Sequence, residues 1–164
     1  MNDLTHVKGM RQIGEFLQTL PVKLEKNVLR GALRAGANVV KPVAQANAPK
    51  DTGEMARGMK VSTNSKRGVV MAKVKLTGKH AFLGPWLEYG TAAHRIVAKD
   101  GGWLFFGGAF AKAIDHPGIT PRPFMLPALV SHAGPAVVAA ANYMKARLSS
   151  KHGLDTADIE IEEV

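Results

Sequence analysis

The sequence predicts an α+β fold, a long N-terminal helix and a C-terminal helix with a small antiparallel β-sheet, on three observations. Apolar residues recur at steps of three and four from Val22 to Ala46; residues 69–76 alternate beside a second β-type run at 59–63; and helical spacing returns between Leu126 and Leu148. At 164 residues, two independent cores would each be small, so one domain is expected over residues 1–150, followed by an acidic C-terminal tail at 151–164.

The first element is a short amphipathic helix, with Ile13, Phe16, Leu17 and Leu20 at helical spacing before Pro21 interrupts it. The long helix follows, its stripe running through Leu24, Val28, Ala32, Ala35, Val39 and Val43 while Lys26, Arg30, Arg34 and Lys41 lie largely off it. Pro42 removes a backbone donor and predicts a kink or an early end near residues 38–42. Gly31 and Gly36 weaken the helix and point to another element passing close by.

Pro, Asp and Gly in Ala48-Pro49-Lys50-Asp51-Thr52-Gly53 mark a turn. Next come strands at Met59–Thr63 and Val69–Leu76, separated by residues 64–68, a hairpin with Lys73 and Lys75 on a basic outer face. Residues 81–89 are aromatic-rich and read equally as a strand, an irregular turn or a short helix. Ile96–Ala98 and Trp103–Phe106 are short β-type runs with Asp100-Gly101-Gly102 as a turn between them, and Gly107–Thr120 lacks periodicity, which predicts a long loop at about 98–119. The final helix, Leu126–Leu148, should kink or divide at Gly134-Pro135. Residues 149–164 read as a frayed acidic tail, with an edge strand through Ile159, Ile161 and Val164 as the alternative.

Charge separates the two ends of the chain. One Lys against five acids leaves residues 151–164 at net −4, while 21 Lys and Arg against eight acids leave the remainder at +13. Such a body is attracted to polyanions by long-range electrostatics. The absence of cysteine excludes a disulfide scaffold, a thiolate zinc site and a cysteine nucleophile. No apolar h-region or run of ~18 apolar residues is present, so neither a signal peptide nor a membrane partner is expected.

The chemistry-bearing residues do not converge on a reaction. Six histidines are scattered without an HExxH spacing, and the five serines have no GxSxG context, so no enzyme activity, metal or cofactor is expected. A small hydrolase built around His94, Asp115 and His116 is the weakest reading, because neighbours on extended chain point in opposite directions. Gly101-Gly102 and Gly107-Gly108 flank the run Trp103, Leu104, Phe105 and Phe106, with Phe110 beyond, and they fit no phosphate-binding loop. A flexible backbone carrying large apolar rings marks a candidate assembly loop.

Four segments in fixed order carry a family resemblance: Leu17-Gln18-Thr19-Leu20-Pro21; Ala48-Pro49-Lys50-Asp51-Thr52-Gly53; Leu87-Glu88-Tyr89-Gly90-Thr91; and His116-Pro117-Gly118 followed by Pro121-Arg122-Pro123-Phe124-Met125-Leu126-Pro127-Ala128-Leu129. Over roughly residues 10–148 the chain resembles the tail-component family of long-tailed bacteriophages, the tail-completion or head–tail joining proteins of the virion neck. The resemblance implies a protomer in which a long helix packs on a small antiparallel sheet. It also implies a homo-oligomeric ring at the head-proximal end of the tail, touching tail-tube and head-connector proteins, with non-specific contact to DNA passing through its lumen. Made in the bacterial host cytoplasm, the protein would end in the virion.

Physical roles for the motif residues follow. Pro49, Asp51, Thr52 and Gly53 would stop the long helix and turn the chain into the hairpin. Glu88 would need an Arg or Lys partner if buried, or be a solvated strand carboxylate. Pro121 and Pro123 would deliver Phe124 and Leu126 to the core. The rival function is a basic nucleic-acid-binding protein without sequence preference.

Overall fold

The computed structural model describes residues 10–155 and 159–161; the side chains of Val22, Lys23 and Leu24 lie outside the described residues, as do Asp158, Glu162, Glu163 and Val164 of the predicted tail. In chain order the elements are α1 (Met10–Gln18), α2 (Val22–Asn47), α3 (Glu54–Arg57), β1 (Met59–Lys66), β2 (Val69–Leu76), α4 (Leu83–Tyr89), β3 (His94–Val97), a 3₁₀ turn (Lys99–Gly101), β4 (Leu104–Phe106), β5 (Ala109–Ala111), β6 (Ala113–His116), α5 (Met125–Ser131) and α6 (Ala133–His152). This is the mixed helix-and-sheet class the sequence predicts, with α2 packed on the β1–β2 sheet. The chain divides into two compact units, one reaching Ala81 and resuming at Phe124, the other Phe82–Pro123.

The first unit is built around α2. Its buried positions, Val28, Ala32, Gly36, Val40 and Ala44, with Ala48 just past its end, recur every fourth residue. At 3.6 residues per turn such a row winds by about 40° per step, so successive turns meet different neighbours. Val28 and Ala32 join Ile13 and Leu17 of α1 and Met144 and Leu148 of α6 in one buried cluster. Further along, a Cβ on Gly36 would lie 2.7 Å from the Ala136 carbonyl oxygen of α6, and one on Gly31 would overlap the Tyr143 ring, so both glycines mark the close approach the sequence implied. Near the end of α2, Gln45 Nε2 donates to the Ala56 carbonyl of α3 at 2.7 Å.

Of the two outcomes expected at Pro42, the early end does not occur, since the helix continues to Asn47. Pro42 and Asn38, whose carbonyl loses its donor, are both exposed, so water can supply the missing bond. β1 runs to Lys66, three residues beyond its predicted end, in unbroken register from Met59↔Leu76 to Lys66↔Val69. The turn is only Arg67-Gly68, both at positive φ, the two-residue type that matches strand twist. Asn64, Ser65 and Lys66 are exposed near the tip, so polarity there marks solvent and not the end of pairing. Val70, Ala72, Val74 and Leu76 alternate inward against exposed Lys73 and Lys75, which together with Lys60 form the expected basic face.

The last helical pattern divides at His132 into α5 and α6, bent by 65°, with Pro135 tolerated in the first turn of α6. Phe124 is fully buried as predicted, but Leu126 is 56% exposed, because the buried helical neighbour of Phe124 is Ala128, two positions further on. The tail also departs from expectation. α6 continues to His152, residues 159–161 form no strand, and Ile159 is 5% exposed in the cluster with Ile13 and Leu148. Lys145 Nζ donates to the Ile159 carbonyl. Burial of one isoleucine outweighs the tail's charge, which alone suggested fraying. No single helix among the described residues is long and apolar enough to cross a membrane.

In the second unit, the expected loop at 98–119 contains the three short strands β4, β5 and β6. β3 pairs with β6, and β4 pairs with β5 inside them, so the two β-type runs do not pair with each other across Asp100-Gly101-Gly102. Residues 81–89, ambiguous in sequence, contain helix α4.

Candidate assembly interface

Two motif segments, far apart in sequence, meet at the base of the nested hairpins. Thr91 and Ile119 exchange backbone hydrogen bonds at 3.0 and 3.1 Å, and the Ile119 amide also donates to Thr91 Oγ1 at 3.0 Å. The Gly118 amide donates to His116 Nδ1 at 3.0 Å, so the imidazole caps the turn that Pro117 opens. Gly90 and Gly118 both hold positive φ, and a Cβ on either would collide with the backbone of the opposite segment. The Arg122 amide donates to the Leu87 carbonyl at 2.6 Å. His116, Pro117, Gly118, Gly90 and Thr91 are therefore a backbone clasp that aims the strands beyond it.

The other motif residues occupy separate places. Glu88 on α4 is 8% exposed, excluding the solvated-carboxylate reading. In the first unit, Pro49 and Asp51 follow the end of α2, Thr52 Oγ1 accepts from the Glu54 amide at 3.3 Å, and Gly53 caps α3. Sequence reasoning missed α3, whose four residues are too few to show periodicity. Pro123 is exposed at the end of the second unit.

Beyond the clasp, β4 and β5 form an isolated two-stranded ribbon turned by Gly107-Gly108, both at positive φ. The sequence signal was present: Gly-Gly between two apolar runs is a two-residue hairpin turn. Phe105 and Phe110 pair directly across the strands, ring centroids 5.1 Å apart, while Phe106 alternates to the other face. Trp103, Phe105, Phe106 and Phe110 are 61–69% exposed, and Leu104 is half-buried. Lys112 Nζ stands 5.3 Å from the centre of the Trp103 ring. A two-stranded ribbon with exposed apolar rings on both faces is marginal in water and suited to burial against another surface.

The histidines do not assemble into a hydrolytic site. His94 and His116 are cross-strand partners with ring centroids 5.1 Å apart, but Asp115 alternates to the opposite face, where Arg95 Nη1 lies 3.6 Å from its carboxylate. His94 Nδ1 lies 3.0 Å from the Ala92 carbonyl oxygen. Among the described residues no group of three or more His, Asp or Glu side chains is placed to hold a metal ion.

Comparison with protein families matches residues 11–90 to the model described as "Bacteriophage HK97-gp10, putative tail-component". The match covers α1 from its second residue, α2, the turn at Pro49–Gly53, the β1–β2 hairpin and α4, and with them the first two resemblance motifs and the third as far as Gly90. Over these residues, just under half of the chain, the protein is similar to that phage tail-component family. Comparisons with curated proteins and with solved structures found no match.

Proposed function

We propose that the protein is a non-enzymatic subunit of the phage neck or tail that self-assembles into a ring, completes the tail and joins the tail tube to the head connector. The observation that carries this reading is the tail-component match over residues 11–90. The exposed aromatic ribbon at 103–110 supports self-association, because a surface of that composition is stable in water only when covered. Synthesis takes place in the host cytoplasm and the finished subunit resides in the virion.

A second observation favours contact with DNA in the lumen. Lys60 and Lys75 face each other across β1 and β2, and no acid lies between Met59 and Leu76 to offset them or Lys66, Arg67 and Lys73. Like charges directly opposed in a sheet are destabilising, and a phosphate backbone would relieve them without reading sequence. The same face supports the alternative of a basic nucleic-acid-binding protein.

Light scattering and negative-stain imaging of the full-length chain separate the two. Closed rings whose DNA binding is weak and falls steeply with salt are expected. A chain that never self-associates but binds DNA tightly supports the alternative. Disruption of the gene should leave filled heads and unattached tails; joined particles at normal yield would contradict the joining role.

A further inference from the structure

On the first unit, α2, β2, α5 and α6 leave an open groove of about 620 Å³ between them. Its walls are contributed by Leu33, Ala37 and Val40 of α2, Val74 of β2, Leu129 of α5 and Val137 of α6, and every lining residue is apolar. Leu129 of α5, in that lining, remains 53% exposed. A groove of this size and composition falls in the range that buries a compact apolar ligand.

We infer that this groove receives the β4–β5 ribbon of a second copy of the chain, placing Phe105, Phe106 and Phe110 against α2, α5 and α6. The inference rests on the ring proposed above and specifies its joint. Three properties match. The ribbon holds no charged residue from Leu104 to Ala111 and the groove lining holds none, so neither of the two apolar surfaces carries a charge of its own into the joint. Each large ring buries ~150–250 Å². Phe105, Phe106 and Phe110, each about two-thirds exposed, therefore bring roughly 300–500 Å² of apolar surface to the joint. Finally, ribbon and groove are different surfaces, so their pairing is head-to-tail, the kind of contact that repeats around a closed ring; two identical faces would stop at a dimer.

The natural absence of cysteine permits a direct test by disulfide trapping. Full-length Phe105→Cys and Leu129→Cys chains are mixed and oxidised, and each is oxidised alone. The inference predicts a linked dimer in the mixture and little in either variant alone. Leu129→Lys, at an exposed position, should leave unfolding unchanged while weakening self-association by at least ~10-fold, as expected for a charge forced into an apolar joint. Rings that form without the cross-link, and that tolerate Leu129→Lys, would overturn the groove assignment and leave the ring standing. A linkage formed within single chains of the double variant would place the ribbon in its own groove and overturn it too. A chain that stays monomeric up to ~1 mM would overturn the ring itself.

Discussion

The two units solve the problem of apolar surface in opposite ways. Every hydrophobic residue that is fully buried, from Ile13 and Val28 to Leu148 and Ile159, belongs to the first unit. In the second the buried residues are Gly84 and Glu88, while Phe82, Trp86, Tyr89, Trp103, Phe105, Phe106 and Phe110 are exposed. The first unit is held by close packing of small and aliphatic side chains, the second by backbone pairing between β3 and β6, between β4 and β5, and between Thr91 and Ile119. Backbone hydrogen bonds exposed to water contribute little net free energy, so the second unit should open at much lower cost than the first. The difference separates the residues that fold the chain from those that, in the proposed ring, would join one copy to the next.

The largest expected effect falls in the packed unit. Leu148→Ala removes a fully buried side chain facing α1 and α2 and should lower unfolding free energy by about 3–5 kcal/mol, read as a reduced denaturant midpoint. Ile159→Ala should cost about 2–3 kcal/mol by the same measurement, because the segment after α6 closes that core. A loss near zero would return residues 153–161 to the status of a solvated tail.

How legible each unit was follows from the same division. α1, α2 and the β1–β2 hairpin were readable because a side chain facing one core must recur at the period of its backbone, as Val28, Ala32 and Val70, Ala72, Val74 do. An early end at Pro42 was a wrong expectation because proline's cost depends on whether water reaches the freed carbonyl, which sequence does not state. Ile159 was hidden by the charges around it. In the second unit no buried face imposes a period, so β5 and β6 read as loop, and only the Gly107-Gly108 turn was available to mark the ribbon. The clasp was visible as two motifs, but their meeting at Thr91 and Ile119 is a long-range pairing that local pattern cannot supply.

Gly118→Ala sharpens the comparison at a smaller scale. Positive φ and the adjacent Thr91 carbonyl should make it cost about 1–2 kcal/mol. By hydrogen exchange, amides of β3 and β6 should lose protection while those of α2 keep theirs; equal loss in both would make the chain one cooperative body. Smallest of all, Phe105→Ser should shift monomer unfolding by less than ~0.5 kcal/mol, since the ring has little to lose in the free chain. A shift of several kcal/mol would mean that Phe105 is core.

The central claim, that the ribbon is covered by assembly and not by folding, is tested most directly by limited tryptic cleavage at Lys99 and Lys112, which flank it. The account predicts rapid cleavage at both sites in the isolated subunit and strong protection in assembled rings or tails, with α2 resistant in each. Equal protection of Lys99 and Lys112 in a demonstrated monomer would contradict it.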